Sequence, residues 1–489
     1  MKPFSIYNTL TRKVEEFVPR HGRIVTYYSC GPTVYLPQHL GNLRAYVFVD
    51  TLKRALRFNG YDVRHVMNIT DVGHLTSDAD AGEDKIEKTA RAEGKSPLAV
   101  AKYYTDQFKR DCARLRIELP PDEESITGAV RPPASILCRA TNHIADMIGL
   151  IERIVRNGLG YVTASGVYFD VEKWRGPSGM GRLSRQSLTE QHAGQRLEHS
   201  ADKRSPHDFA LWVLNQPHHL MQWDSPWGRG YPGWHIECSA MAMRYLGETI
   251  DIHSGGLDHI PVHHENEIAQ SEGATGQPFV RYFVHNAFLV GMEGAKISKS
   301  AGRFPVLDDL VAAAIDPLAF RLLCFGAKYR SELAFNLDAV RAAAKNLGYL
   351  QEFTRSLPES AIGADDAAWA AEYRERFHDA LNNDLNTPVA LAVMLELVAE
   401  ANRRQDPRVW HTLNDFDQVV NLGLAHELRA SREEATDARL QGLLEQREAA
   451  RQARDYQRSD DLRREIEALG WEIKDTKEGP RITRRRGTP

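Results

Sequence analysis

RIVTYYSCGPTVYLPQHLGNLRAYVFVDTLKRALRFNGYDVRHVMNIT, residues 23–70, decides the fold. Its first seven residues, through Ser29, are rich in β-branched and aromatic types and lead into a turn at Gly31-Pro32. From Asn42 onward the apolar residues recur at helical spacing until Asn59-Gly60, a suitable C-cap. DVRHVMNIT then reads as a strand again. Strand, turn, helix and strand make a βαβ unit, and hence a parallel sheet in an α/β fold. Ligands of such sheets bind beyond the carboxyl ends of the strands, where the first helix begins. The HLGN run, 39–42, lies at that point, and Cys30 sits just after the first strand. That thiol is open to four readings: core residue, nucleophile, half of a disulfide, or metal ligand.

A chain of 489 residues is too long for one hydrophobic core, so roughly three domains are expected. With 42% hydrophobic and 26% charged residues it has an ordinary globular composition. A net charge of −4 argues against bulk attraction to nucleic acid, although it leaves room for a local basic face. The N-terminal MKPFSIYNTLTRKVEEFV has no apolar core of signal-peptide length, and no stretch reaches bilayer-spanning length. A cytoplasmic protein without membrane association is therefore expected. The five cysteines (Cys30, Cys112, Cys138, Cys238 and Cys324) are odd in number and scattered, which argues against a disulfide framework. Cys112, Cys138 and Cys324 sit among apolar residues and read as inert buried thiols.

Beyond residue 121 the character changes. A helical segment (TNHIADMIGLIERIVRNG), a hairpin (YVTASGVYFDVEKW) and a polar stretch read as an insertion between two halves of the sheet domain. The parallel sheet is expected to resume around FALWV and to continue through ETIDIHSGG and RYFVHNAFLV. After about residue 306 the pattern is almost wholly helical, with a short strand-like tail, WEIKDTKEGPRITRRRG.

Three groups of residues carry chemistry. HHENE at 263–267 puts His263 and Glu267 four apart, on one face of a helix. PGWHIECSAM supplies Cys238 and His235. With Cys30 these offer two thiolates, an imidazole and a carboxylate, a donor set that suits tetrahedral zinc; the competing reading makes Cys238 a small core residue. KISKS at 296–300 places Lys296 and Lys299 after a Gly-containing loop, as suits a triphosphate whose pyrophosphate gains charge on leaving. In HLGN, a glycine lets nucleotide approach a helix N-terminus whose free N–H groups, with a histidine, hold phosphate oxygens.

In this order, CGPTVY…HLGN, HVMNITDV, PGWHIECSAM, DIHSGGLDHIPVHHENEIAQ and KISKS resemble the cysteinyl-tRNA synthetase family of class I aminoacyl-tRNA synthetases. RATNHIADMIGLIERIVRNGLGY resembles that family's connective insertion, NNDLNTPVAL its helical bundle, and REAARQARDYQRSDDLRREIEALGWEIKDTKEGPRI its C-terminal tRNA-binding part. The resemblance implies a Rossmann-like parallel-sheet catalytic domain at 1–120 and 206–305, split by an insertion at 121–205. A stem-contact and helical bundle region at 306–425 and a C-terminal anticodon-binding region at 426–489 complete the layout. It implies zinc on Cys30, Cys238, His263 and Glu267, taking the substrate thiolate as a further ligand. It places Thr33, Thr70, Trp234 and His253 in the cysteine pocket, and His39, Asn42, Lys296 and Lys299 on ATP, which arrives with Mg2+. The implied partners are L-cysteine, ATP and tRNA(Cys), and the implied state is a monomer.

Three departures from the family pattern stand out. Asn42 replaces the second histidine of the usual HIGH run, and AGR follows KISKS where LGN is usual, bringing in Arg303. An acidic loop with His74, Asp78, Asp80 and Glu83 lengthens the run after NITD, and its spacing repeats no known metal cage, so it reads as solvated. Two rival readings remain: a ligase with the same adenylating core and another acceptor, such as an amino sugar, and a catalytically idle tRNA-binding paralogue. The full C-terminal third opposes the first, and the retained lysines and presumed ligands oppose the second.

Overall fold

The computed structural model describes residues 2–73, 84–126, 134–174, 179–186, 202–291, 304–469, 471–476 and 479–484. The chain divides into two compact units, Met1–Leu347 with Asp366–Leu422, and Gly348–Asp365 with Gly423–Pro489.

The first unit opens with the antiparallel pair β1 (Ser5–Asn8) and β2 (Lys13–Glu16). β3 (Ile24–Ser29), α1 (Leu40–Phe58) and β4 (Asp62–Ile69) then form the βαβ unit that residues 23–70 predict, with Asn59 as the C-cap of α1. α2 (Lys85–Glu93) and α3 (Pro97–Arg114) follow, and the chain returns to the sheet as β5 (Ile136–Arg139), parallel to β4. Next come α4 (Ile144–Arg156), β6 (Gly160–Val162), β7 (Gly166–Phe169), β8 (Phe209–Leu214), β9 (Gly230–Pro232) and α5 (Trp234–Leu246). β10 (Ile250–Gly256), one π-helical turn (Ile260–His264), α6 (Glu265–Thr275) and β11 (Val280–Asn286) complete the sheet domain.

The sheet has the order β11-β10-β3-β4-β5 and every pairing in it is parallel. Strands after β3 are added on one side, and β10 and β11 on the other, so the direction of winding reverses between β3 and β10. That reversal is the point at which open α/β sheets bind their ligands. β3 is central: Val25, Tyr27 and Tyr28 are fully buried, as expected of a strand covered on both faces. Crosslinks reinforce the β3–β10 pairing, since Asp251 accepts from the Thr26 N–H and hydroxyl (both 2.9 Å), and the Tyr27 hydroxyl lies 2.7 Å from Ser254 Oγ.

Two strands differ from the sequence reading. FALWV does not resume the parallel sheet; β8 pairs antiparallel with β7 and β9 in a separate four-stranded sheet. A buried apolar run carries no signal of strand direction, which is fixed by partners elsewhere in the chain. β5, conversely, falls within 121–205 yet is an edge strand of the parallel sheet. Its Cys138 is fully buried, as the inert-thiol reading expects.

Beyond the sheets, α7 (Leu307–Ala312), α8 (Pro317–Phe325) and α9 (Leu337–Ser356) lead to α10 (Ala370–Asn382), α11 (Thr387–Arg404) and α12 (Trp410–Val420). One buried ion pair ties this region to the sheet domain. Arg321 on α8 donates to Asp50 on α1 (2.7 Å) and to the carbonyls of Val420 (2.6 Å) and Leu115 (3.1 Å), with both charged side chains fully buried.

The second unit contains α13 (Leu424–Gln452), α14 (Tyr456–Ala468) and an antiparallel hairpin of β12 (Trp471–Thr476) and β13 (Gly479–Arg484). Leu440, Leu443, Ala450, Leu462, Ile466 and Ile473 form its own small core.

Candidate active site and metal centre

A cleft of about 990 Å3 lies over the β3/β10 reversal. Three segments bring the candidate ligands together, and Cys30, Cys238 and His263 among them line the cleft. Cys30 continues the β3 ladder through its N–H to the Ser254 carbonyl (3.2 Å). The next residue must be glycine, because a Cβ on Gly31 would sit 1.6 Å from the Asn68 carbonyl oxygen. Asn68 holds this turn by accepting from the Gly31 N–H (2.8 Å). Cys238 comes from the second turn of α5, whose N-cap is a glycine, Gly233, because a Cβ there would lie 2.1 Å from the Ala210 carbonyl oxygen. His263 lies in the π-helical turn and Glu267 one turn on, with Nε2 and Oε1 3.1 Å apart, so the four-residue spacing does place both on one face.

Cys30, Cys238, His263 and Glu267 thus each offer a donor atom within 4.8 Å of the others. A second combination, Cys30, His253, His264 and Glu267, meets the same distance. Its imidazoles are otherwise occupied: His253 Nε2 is bonded to Glu267 Oε2 (2.9 Å), and His264 sits between His285 (2.8 Å) and Cys30 Sγ (3.4 Å). Cys30, Cys238 and His263 line the cleft, whereas His253 and His264 do not.

The charges within the first set are sharply polarised. Burial pushes the Glu267 carboxyl up, but the neighbouring His253 and His263 outweigh it and bring its pKa down to about 2. Burial likewise opposes the charged form of His263, and the Glu267 carboxylate overcomes it, raising His263 to about 10. The hydrogen bond from the Cys30 thiol lowers Cys238 to about 6, with a further contribution from His263. Burial and that same contact drive Cys30 well up. Glu267 Oε1 is buried without a hydrogen bond. Two thiols, one imidazole and an unsatisfied carboxylate oxygen, brought within 4.8 Å, fit a tetrahedral cation of zinc's borderline softness. Behind the set, His235 Nδ1 lies 2.8 Å from His263 Nδ1. The sequence reading offered His235 as a donor, and the structure makes it the group that orients a donor.

Thr33, Thr70 and Trp234 line the cleft. The first two bridge the strand ends, and the Trp234 ring packs 4.7 Å from that of His263. His253, expected in the cysteine pocket, is fully buried and bonded to Glu267. His39 and Asn42 line the same cleft. His39 caps α1, its Nδ1 accepting from the Asn42 N–H (3.2 Å), while Asn42 Oδ1 accepts from the His39 N–H (3.3 Å). Asn42 therefore closes a reciprocal capping box, which leaves its amide NH2 as the donor it can offer the cleft. The His39 ring stacks on Phe304 (4.6 Å), and the Leu40 N–H donates to the Pro305 carbonyl (2.8 Å). Lys296, Lys299 and Arg303, with His74, Asp78, Asp80 and Glu83, lie outside the described residues.

Sequence reasoning missed Asn68, Phe304 and Lys85. Lys85 lines the cleft with Nζ 5.8 Å from the Tyr35 ring centre and 6.0 Å from that of Trp234. The available signal for Lys85 was the DKIEK run after the acidic loop; Phe304 carried none.

Residues 16–345 match the family described as the class I (C) tRNA synthetase catalytic domain, and residues 376–433 match the DALR domain. The methionyl-tRNA synthetase of Mycobacterium tuberculosis shares the fold, with a TM-score of 0.53 at 16% identity over 83% of this chain and 91% of its own. Fold and site thus define a class I aminoacyl-tRNA synthetase, an ATP-dependent ligase. The cysteine–tRNA ligases of Chlorobaculum tepidum and Burkholderia lata are each 44% identical, covering 98% of this chain and 98% and 97% of their own lengths. That of Treponema denticola is 42% identical over 96% of this chain and 97% of its own. The chain belongs to the cysteine–tRNA ligase family.

Proposed function

We propose that this chain activates L-cysteine with ATP and transfers it to tRNA(Cys), holding zinc on Cys30, Cys238, His263 and Glu267. The observation that carries the reading is the meeting of these four donors, from three segments, within 4.8 Å of one another at a cleft that Cys30, Cys238 and His263 line together with His39 and Asn42. Zinc bound there supplies a soft site for the substrate thiolate, which serine's hydroxyl does not match at neutral pH. Size alone separates the two substrates poorly.

Thr33, Thr70 and Trp234 hold the amino acid, and Trp234 covers the His263 side of the pocket. His39 and Asn42 at the start of α1, with Lys296 and Lys299, hold the phosphates of ATP, which arrives with Mg2+. A carboxylate oxygen of cysteine attacks the α-phosphorus, the bond to the bridging oxygen breaks, and pyrophosphate leaves with the electron pair. A terminal ribose hydroxyl of tRNA then attacks the adenylate carbonyl, losing its proton as AMP departs. No protein nucleophile takes part, so catalysis is positioning and charge stabilisation. Among the described residues no helix is long and apolar enough to cross a membrane, and we extend the reading to action in the cytoplasm.

Cysteine-dependent exchange between ATP and pyrophosphate, followed by charging of purified tRNA(Cys), tests the reading. Both are expected. Exchange without charging moves the assignment to a ligase with another acceptor, and no exchange refutes it.

A further inference from the structure

Away from the Cys30 set, three titratable side chains converge between α2 and the β8–β9 connection. Asp84 is the N-cap of α2, Glu87 lies on its first turn, and His219 comes from the connection. Their side chains are 2%, 6% and 5% exposed. Among the described residues, His219 is the one cationic group within ion-pair distance of either carboxylate. Two buried carboxylates therefore face at most one positive charge, an imbalance that burial makes costly.

The hydrogen bonds sharpen this. His219 Nε2 is bonded to Asp84 Oδ2 (3.1 Å), which fixes that nitrogen as the N–H donor. Nδ1 lies 3.4 Å from Glu87 Oε1 but makes no hydrogen bond, although it is buried. With Nε2 carrying the proton, Nδ1 presents a lone pair towards a carboxylate, which is repulsive unless a cation lies between them. An N–H at Nδ1 would be misaligned for that acceptor. The pattern, a carboxylate orienting one imidazole nitrogen while the other faces an anionic donor, is that of a ligating histidine with its supporting group. The carboxylates are held from their other sides. Asp84 Oδ1 accepts from the Glu87 N–H (2.7 Å), Glu87 Oε1 accepts from the Leu220 N–H (2.5 Å), and a Cβ on Gly73 would meet Asp84 Oδ2 at 1.9 Å.

We propose that His219 Nδ1 and Glu87, with Asp84 orienting the imidazole from its other nitrogen, bind a divalent cation at a second site, distinct from the Cys30 set and independent of it. One imidazole with oxygen donors and no thiolate suits Mn2+ or Zn2+. The bound cation ties α2, whose Lys85 and Lys88 line the cleft, to the connection that leads through β9 into α5 and its Trp234 and Cys238. Its role is to fix two walls of the cleft relative to each other, with no part in bond making.

Mn2+ is the discriminating probe because a thiolate set disfavours it. The full-length protein, free of ATP, is titrated with Mn2+ and followed by electron paramagnetic resonance and calorimetry. One equivalent is expected in the parent and in Cys238→Ser. Binding should weaken by about tenfold or more in Glu87→Gln and His219→Gln. Glu87→Gln keeps an acceptor for the Leu220 N–H, and circular dichroism with zinc analysis checks that fold and first metal survive. A parent that binds no Mn2+, or a Glu87→Gln that binds it as tightly as the parent, overturns the proposal. So does a doubly protonated His219 in the nitrogen-15 spectrum of metal-treated parent. Loss of zinc from Cys238→Ser with Mn2+ binding intact separates the two sites.

Discussion

His235→Leu isolates the support behind the proposed zinc ligand. His263 can present Nε2 as a lone pair only if its proton sits on Nδ1, and that N–H needs an acceptor 2.8 Å away, His235 Nδ1. Both rings are buried, 3% exposed each, so water does not replace the lost acceptor. Leaving a buried donor unpaired costs about 1–3 kcal/mol. That range brackets the roughly 10- to 100-fold loss of affinity seen when the group behind a ligating histidine is removed. Zinc affinity, measured by competition with a chromophoric chelator at fixed pH, should fall by that factor in His235→Leu. The KM for cysteine in pyrophosphate exchange should rise with it. His235→Gln restores an acceptor and should recover most of the affinity, which a merely space-filling role for His235 does not predict. If His235→Leu holds zinc as tightly as the parent, the tautomer argument is wrong.

Gly31→Ala forces a methyl group against the Asn68 carbonyl and displaces Cys30 from the strand end, so adenylate formation should fall by about 100-fold or more in the exchange assay. A parent-like rate would refute the close approach. Arg321→Met leaves the Asp50 carboxylate buried without its main partner and should cost about 3–5 kcal/mol in denaturant unfolding, with Asp50→Leu in the same chain restoring most of it. Burial pushes Asp50 up, but Arg321, Arg54 and Lys53 hold it below its ordinary value. Its contribution is therefore complete above the unfolded carboxyl pKa of about 4 and is lost as pH falls through the lower folded value; Asp50→Asn should flatten that acid limb. Asn42→Asp keeps the oxygen that caps α1 but removes the amide donor and adds negative charge. It should melt like the parent while raising the KM for ATP, and an unchanged KM would confine Asn42 to capping.

The β3–α1–β4 unit was legible because its period changes from two to 3.6 and back between clear punctuation marks, Gly31-Pro32 and Asn59-Gly60. β8 was misplaced because FALWV is apolar throughout, and such a run suits either kind of sheet. The His263–Glu267 pair was legible as one helical turn. The inclusion of Cys30, more than two hundred residues earlier, rested on resemblance, since no spacing encodes the adjacency of β3 and β10. Asn42 was readable in principle: a polar residue three positions after a polar N-cap is the signature of a capping box. The site at Asp84, Glu87 and His219 was not, because its histidine comes from a loop 132 residues beyond Glu87.

The sheet order explains why Cys30 and His39 can serve opposite ends of one small substrate. Cys30 leaves β3 on the β10 side of the reversal, where the π-helical turn and α6 that follow β10 bring His263 and Glu267. The chain then crosses the top of the sheet, pinned by the Thr33–Thr70 bridge, and starts α1 at His39 in another part of the same cleft. On the proposed reading the thiol of cysteine belongs to the first place and its carboxylate to the second. The short intervening loop therefore sets the distance between sulfur recognition and phosphate attack. Both its ends are fixed by contacts that tolerate no added atom or lost acceptor: Gly31 against Asn68, and His39 with Asn42. Discrimination against serine then acts on the rate of adenylate formation as well as on binding, because an amino acid not anchored through sulfur leaves its carboxylate unpositioned for attack.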